Sequence, residues 1–320
     1  MDVVAVDDPM IDADRIEAAL GEEDAVRTTD ADDGDALAAA ADGADALVVD
    51  VNTPVTAPVL AASDALRIVA RAGVGVDNVD VEAAAERGVH VTNVPEYCQD
   101  EVATHAVTLL LACLRRVTGL DRDVRAGEWD WAGAGPVRRL AGTTVGLASY
   151  GPIARRVADR LAGFGVDLVA YDPYVDADEM ADDGVEKASL GDLLDRADHL
   201  VVLAPLTEET RGLIDGDALD RLPDHAVVVN AGRGGVVDEG ALDAALREDG
   251  IAAAGLDVFE NEPPTDSPLL DRDDVVCTPH AGWFSVEARA ELNDAVARNL
   301  RAVRDGETPP DRIEPETDWV

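Results

Sequence analysis

Thr144-Val145-Gly146-Leu147-Ala148-Ser149-Tyr150-Gly151-Pro152-Ile153-Ala154 is the stretch that decides how this chain folds. An apolar run ends at Ala148, a short turn follows, and helical sequence opens on Pro152, a residue suited to a first helical turn. The order strand, turn, helix carries Ser149-x-Gly151-x-x-Ala154, an eroded form of the glycine-rich turn that seats a dinucleotide pyrophosphate. Gly151 keeps the position where a missing side chain lets the backbone approach phosphate, and Ala154 suits the helix–strand contact. Ser149 is unusual at the turn, and Pro152 supplies no N–H, a loss on the order of 1 kcal/mol that Arg155 is placed to offset. Asp172 follows Ser149 by 23 positions, at the end of the next apolar run. A carboxylate there accepts the adenosine ribose hydroxyls and repels a 2′-phosphate, and Pro173 and Tyr174 add no cation, so NAD is favoured over NADP.

The same strand–helix rhythm extends in both directions. Val3–Val6, Leu47–Val51, Arg67–Ala70 and Val89–Val94 read as strands, with helical sequence at Ile11–Leu20, Ala36–Ala41 and Val81–Arg87. A second series follows with strands at Val145–Ala148, Leu168–Tyr171, Leu200–Leu203, Ala226–Asn230, Ala252–Leu256 and Val275–Thr278. Repeated βα units predict parallel sheets covered by helices. The expected class is therefore α/β, with two doubly wound domains, Rossmann-like or flavodoxin-like, and a cleft between them. A long apolar helix over Asp100–Gly119 separates the two series, and another over Val286–Val303 follows them. Returning that last helix to the first domain gives a discontinuous domain, 1–98 plus 284–320, around a nucleotide domain at 99–283. The polar tail from Thr308 is expected to fray.

Composition narrows the partners. Among 320 residues, 67 are acidic and 26 basic, a net charge of -41, while 47% are apolar. Such a chain folds, but its surface repels phosphate backbones and anionic lipid, which excludes nucleic-acid and membrane partners. Lys187 is the only lysine and the arginines are scattered. Few aromatics and abundant carboxylates suit concentrated salt, which screens self-repulsion within roughly 3 Å at 1 M. Cys98, Cys113 and Cys277 form no CxxC pair and no zinc spacing, so no metal is expected and the thiols read as reduced. The acidic start at Asp2 resembles no targeting peptide, and Ala106–Leu114 is too short to span a bilayer, so the protein is expected in the cytoplasm.

Three later segments each place polar side chains just beyond an apolar strand, where doubly wound sheets bind ligands. Val227-Val228-Val229-Asn230-Ala231-Gly232-Arg233-Gly234-Gly235 presents a guanidinium able to grip a carboxylate bidentately. Gly255-Leu256-Asp257-Val258-Phe259-Glu260-Asn261-Glu262-Pro263 supplies Asp257 and Glu262. Cys277-Thr278-Pro279-His280-Ala281-Gly282-Trp283 supplies a histidine. A histidine beside a carboxylate has its tautomer fixed and suits proton transfer.

These segments, with Arg71-Ala72-Gly73-Val74-Gly75-Val76-Asp77-Asn78-Val79-Asp80, Asn93-Val94-Pro95 and Glu101-Val102-Ala103, resemble the D-2-hydroxyacid dehydrogenase family along nearly the whole chain. That family includes phosphoglycerate dehydrogenases and glyoxylate/hydroxypyruvate reductases. Thr278-Pro279-His280-Ala281-Gly282-Trp283 and Tyr171-Asp172-Pro173-Tyr174 are most similar to its C-terminal-binding-protein branch. The resemblance implies that Arg233 binds substrate, His280 is the general acid/base and Glu262 orients it. It further implies substrate contacts from Arg71, Val74, Gly75 and Trp283. Cofactor contacts would come from Val102, Ser149, Tyr150, Gly151, Pro152, Ile153, Asp172, Ala204, Pro205, Thr210, Ala231, Gly232, Asp257, His280 and Gly282. Leu203-Ala204-Pro205 lacks the histidine many relatives carry nearby.

The implied activity is hydride transfer between NADH and C2 of a 2-keto acid, giving a 2-hydroxy acid. An indole at Trp283, with Tyr97 as a second aromatic face, favours 2-keto acids with apolar tails over glyoxylate and over a phosphorylated keto acid. The apolar helix from Asp100 and the Trp129/Trp131 segment read as a buried surface, and relatives dimerise there, so a homodimer is expected. The alternative is an NADH-sensing protein of the C-terminal-binding type with little turnover.

Overall fold

Runs of valine, alanine and leucine form the inner strands of two separate sheets in a computed structural model that describes residues 1–315. The chain divides into two compact units, Met1–Cys98 with the chain from Phe284 onward, and Gln99–Trp283. The first opens with β1 (Asp2–Val6), α1 (Ala13–Leu20), β2 (Ala25–Thr29), α2 (Gly34–Ala40) and β3 (Ala46–Val49). It continues with α3 (Ala57–Leu60), β4 (Ile68–Arg71), α4 (Val81–Glu86) and β5 (His90–Thr92).

The second unit begins with α5 (Gln99–Leu114), α6 (Val117–Arg125), β6 (Thr144–Ala148), α7 (Pro152–Ala162), β7 (Asp167–Tyr171), α8 (Ala177–Asp182) and β8 (Glu186–Lys187). It ends with α9 (Leu190–Arg196), β9 (His199–Val202), α10 (Gly216–Leu219), β10 (Val227–Asn230), α11 (Glu239–Arg247), β11 (Ala253–Leu256) and β12 (Val275–Cys277). The first unit is completed by α12 (Val286–Arg304) and β13 (Arg312–Ile313).

The first sheet runs β13-β5-β4-β3-β1-β2 and the second β12-β11-β10-β9-β6-β7-β8. Every pairing is parallel except β13 against β5. The second order reverses direction between β6 and β9, so the turn after β6 lies at the switch point where doubly wound sheets take ligands. Part of the acidity is spent locally: Asp12, Asp33, Asp80, Asp215 and Asp238 each cap a helix by accepting the amide three residues on. Helix α12 is tied into the first unit by buried Asn293, which accepts the Asp12 N–H at 2.8 Å and donates to the Met10 carbonyl at 2.9 Å.

Three expectations need correction. The helix expected over Asp100–Gly119 stops at Leu114, because Arg116 takes a left-handed backbone (φ 52°) before α6 restarts at Val117. The tail from Thr308 was expected to fray, yet in its described part Arg312 and Ile313 pair with Thr92 and Val91, and Ile313 is buried; residues 316–320 lie outside the described residues. Strand β2 went unread: it is an edge strand with no fully buried residue, Ala-Val-Arg-Thr-Thr, and no apolar run to betray it. No described helix is long and apolar enough to cross a membrane.

Candidate active site

The turn after β6 is built for a ligand at a helix N-terminus. Ser149 sits at φ 92°, a region normally left to glycine, and its N–H bonds the Tyr171 carbonyl at 2.8 Å. Gly151 caps α7 in extended conformation and Pro152 opens the helix. A Cβ added at Gly151 would meet nothing within 4 Å, so space lies open in front of the helix end. Asp172 is buried beside this turn, its carboxylate accepting the Tyr150 N–H at 2.8 Å and the Tyr174 N–H at 2.9 Å. These two amides fix the carboxylate at the end of β7 and leave it lone pairs for hydroxyl donors. A dinucleotide therefore fits the residues present. Arg155, expected to compensate for Pro152, is engaged elsewhere: it pairs with Glu179 at 2.6 Å and Asp183 at 3.0 Å and stacks over the Tyr150 ring. The Tyr150 ring is itself buried, with its hydroxyl bonded to Asp183 at 3.0 Å.

The ends of β10, β11 and β12 hold the groups expected from the sequence to react. Asn230, fully buried, shapes the turn to Arg233 by donating to the Arg233 carbonyl at 3.0 Å and accepting the Gly232 N–H at 3.1 Å. A Cβ at Gly234 would collide with the Phe259 backbone, so glycine there lets the Arg233 turn lie against the segment that carries Glu262. His280 Nδ1 is 2.7 Å from Glu262 Oε2, and Glu262 Oε1 accepts the Phe259 N–H at 3.0 Å. Burial alone would raise the Glu262 pKa, but the His280 hydrogen bond and charge, the Phe259 amide and the Arg233 charge outweigh it and hold the carboxyl below its usual range. An ionised Glu262 must receive a proton from Nδ1, so Nε2 is the nitrogen left for chemistry.

Asp257 is nearly buried and its carboxylate accepts Thr278 Oγ1 at 2.6 Å, the Ala281 N–H at 2.9 Å and the Gly282 N–H at 2.8 Å. Burial pushes this carboxyl up, and the bonds from His105, Thr278 and Gly282 more than reverse it, leaving it below the ordinary carboxylate range. The second unit thus brings Arg233, Asp257, Glu262, His280 and Gly282 into one bonded cluster. Ala204, Ala231 and Val102 are buried near the sheet, and Thr210 donates to the Pro205 carbonyl at 2.5 Å, closing the loop after β9. Trp283 is half-buried at the end of the second unit, while Arg71, Val74, Gly75 and buried Tyr97 belong to the first. Two participants escaped sequence reasoning: Asn230, inside an apolar strand, and His105, on a helix far away in sequence.

Residues 107–282 match the family described as D-isomer specific 2-hydroxyacid dehydrogenase, NAD binding domain. The chain is 47% identical over 296 residues to D-3-phosphoglycerate dehydrogenase of Mycobacterium bovis, across 92% of this chain and 56% of that protein. It therefore spans little more than half the length of that curated relative. Glyoxylate reductase of Korarchaeum cryptofilum is 43% identical over 277 residues, covering 85% of this chain and 83% of the relative. Among solved structures, an NADPH-dependent glyoxylate/hydroxypyruvate reductase from Sinorhizobium meliloti, complexed with NADP and malonate, superposes with a TM-score of 0.86. That pair is 33% identical and covers 99% of this chain and 98% of the other.

Proposed function

The chain belongs to the D-isomer specific 2-hydroxyacid dehydrogenase family, and from that premise we propose that it is an NAD-dependent oxidoreductase that interconverts 2-keto and D-2-hydroxy acids. The observation that carries this reading is the His280–Glu262 pair at 2.7 Å with the Arg233 charge acting on the same carboxylate. When bound, a reduced nicotinamide would supply the hydride for C2. His280 then gives its Nε2 proton to the C2 oxygen as that oxygen gains charge, and Glu262 stabilises the imidazolium before transfer. Arg233 neutralises the developing alkoxide and binds the substrate carboxylate. Arg71 and the amides of Val74 and Gly75 are assigned to substrate recognition on family resemblance. Asp172 selects NADH. The test is NADH consumption across glyoxylate, apolar 2-keto acids and a phosphorylated keto acid. Binding of NADH with no turnover on any of them overturns the reading. Trp283 makes apolar tails the better substrates, and Trp283→Ala then costs those substrates selectively while sparing glyoxylate.

The partner reading is a homodimer. Helix α6 has no buried residue, with Val117 and Val124 about half exposed, and Trp129 and Trp131 follow at 90% and 86% exposure. A cavity of about 560 Å³ nearby is lined by Leu111, Leu114, Arg115, Val137, Arg138, Arg139, Leu140 and Phe164. Among the described residues Arg115, Arg138 and Arg139 enter no ion pair, in a chain rich in carboxylates. Glu128-Trp129-Asp130-Trp131 of a second copy matches that groove in both charge and apolarity. Light scattering should give twice the chain mass, and Trp129→Ala with Trp131→Ala should give monomers. A cytoplasmic site of action in concentrated salt completes the reading, and rising salt should then raise the melting temperature.

A further inference from the structure

His105 has no place in the chemistry described above, yet it touches the residues that hold His280. Its Nε2 lies 2.9 Å from Thr278 Oγ1 and 3.3 Å from Asp257 Oδ1. The single Thr278 hydroxyl proton goes to Asp257 at 2.6 Å, so the contact from His105 must be an Nε2–H donating toward oxygen. Asp257 in turn grips the turn around His280 from three sides. Its carbonyl accepts the His280 N–H at 2.8 Å, and its two carboxylate oxygens accept the Ala281 and Gly282 amides. A Cβ at Gly282 would stand 2.7 Å from Asp257 Oδ2, so glycine is what allows this grip. The turn needs holding because His280 has a left-handed backbone, φ 52°, which an L-residue adopts only at a cost.

The approach of His105 is fixed by its helix. His105, Leu109 and Cys113 recur every fourth residue and form one stripe of α5. A Cβ at Gly255 would come within 3.0 Å of Leu109 Cβ and 3.3 Å of Cys113 Sγ, and Cys113 Sγ donates to the Ala254 carbonyl at 3.3 Å. The stripe is therefore seated directly on β11, and His105 is carried to Asp257 at that strand's end. We propose that His105 is a positioning residue for hydride transfer: by donating Nε2–H into the Thr278–Asp257 pair it holds the turn that aims His280. This rests on the reading of His280 as the proton donor.

The experiment compares His105→Ala and His105→Gln with the unaltered chain, since a glutamine amide can donate from nearly the same point. His105→Ala should lower kcat roughly tenfold, the loss of about one charge-assisted hydrogen bond. KM for the 2-keto acid and Kd for NADH should stay within twofold, and His105→Gln should restore most of the turnover. A second readout needs no cofactor: in the chain with 15N-labelled histidine, the His280 ring signals should broaden or split in His105→Ala and sharpen again in His105→Gln. Unchanged kcat and unchanged His280 signals in His105→Ala overturn the proposal. So does a loss shared equally by NADH binding and not rescued by glutamine. If the unaltered chain turns over no 2-keto acid, the reaction reading fails alone, and the His280 signals still decide the positioning role.

Discussion

Four non-glycine residues of the second unit have positive φ, and two of them, Ser149 at 92° and His280 at 52°, lie in turns that follow strands and hold that conformation for different reasons. At His280 the side chain is the reagent, so the strain cannot be relieved by glycine without removing the chemistry. The surroundings are correspondingly dense: Glu262 on the ring, and Asp257 on the His280 carbonyl-side neighbours and on its own N–H. At Ser149 only the backbone is engaged, through the Tyr171 carbonyl, and among the described residues the hydroxyl forms no hydrogen bond. Local strain persists where surrounding structure over-determines it. The His280 turn is over-determined by side chains and the Ser149 turn by its strand and helix.

The largest effect that could break this comparison is at His280. His280→Gln should cut kcat by about 10³-fold, within the range general acid–base groups supply, while NADH binding measured by fluorescence stays unchanged. A variant keeping a tenth of the turnover would mean that the dense cluster serves folding rather than proton transfer.

A third polar group, at the N-terminal end of the central strand of the same sheet, is the control. His199 is buried at the start of β9, and its Nδ1 accepts the Val227 N–H at 3.2 Å. Burial, and to a lesser degree His225, push its pKa down to about 4 against the pull of Asp198. Between pH 6.5 and 4 the unfolded chain binds a proton there that the native chain refuses, so stability falls as pH drops through that window. The loss amounts to about 3 kcal/mol at its acid end. His199→Asn keeps an acceptor for Val227 and carries no titration. Urea unfolding at pH 7 and pH 4.5 should show a shallower pH dependence in the variant, with kcat at pH 7 untouched. An identical dependence would remove His199 as its source.

What the sequence disclosed divides along the same line. Strands buried on both faces, such as Val227–Asn230 and Leu47–Val49, announce themselves as apolar runs, and Gly-rich or Pro-fixed turns mark Arg233 and His280. Edge strand β2 and the short β13 carry no such signal, because half their side chains face water. The break at Arg116 was hidden by apolar residues on either side of it. His105 was illegible for another reason: its meaning comes from Asp257, more than 150 positions away, and from Gly255, whose absent side chain seats the helix.

A smaller effect tests the other half of the nucleotide turn. Asp172 is held by two amides, one on each carboxylate oxygen, so Asp172→Asn removes the charge and keeps an acceptor for only one of them, and the ratio between the two cofactors, which share that loop change, isolates the charge. The ratio of kcat/KM for NADH over NADPH should fall about tenfold, the worth of one hydrogen bond to a charged group plus the lost repulsion of a 2′-phosphate. An unchanged ratio would assign cofactor choice to another residue.

The smallest expected effect is at Ser149, and it separates the two turns most cleanly. Glycine adopts φ 92° freely, so Ser149→Gly relieves strain in the native state. It also gives the unfolded chain more conformations, which offsets part of that gain. The balance should be a stabilisation below about 1 kcal/mol, a rise of roughly 2 °C in melting temperature for a unit of this size. Since no hydrogen bond of the serine hydroxyl is lost and the open space before α7 is unaltered, NADH affinity should stay within twofold. A melting temperature that rises while NADH binding weakens tenfold would instead make the hydroxyl a phosphate ligand. Ser149 would then resemble His280 after all: a residue kept in a strained backbone for the sake of its side chain.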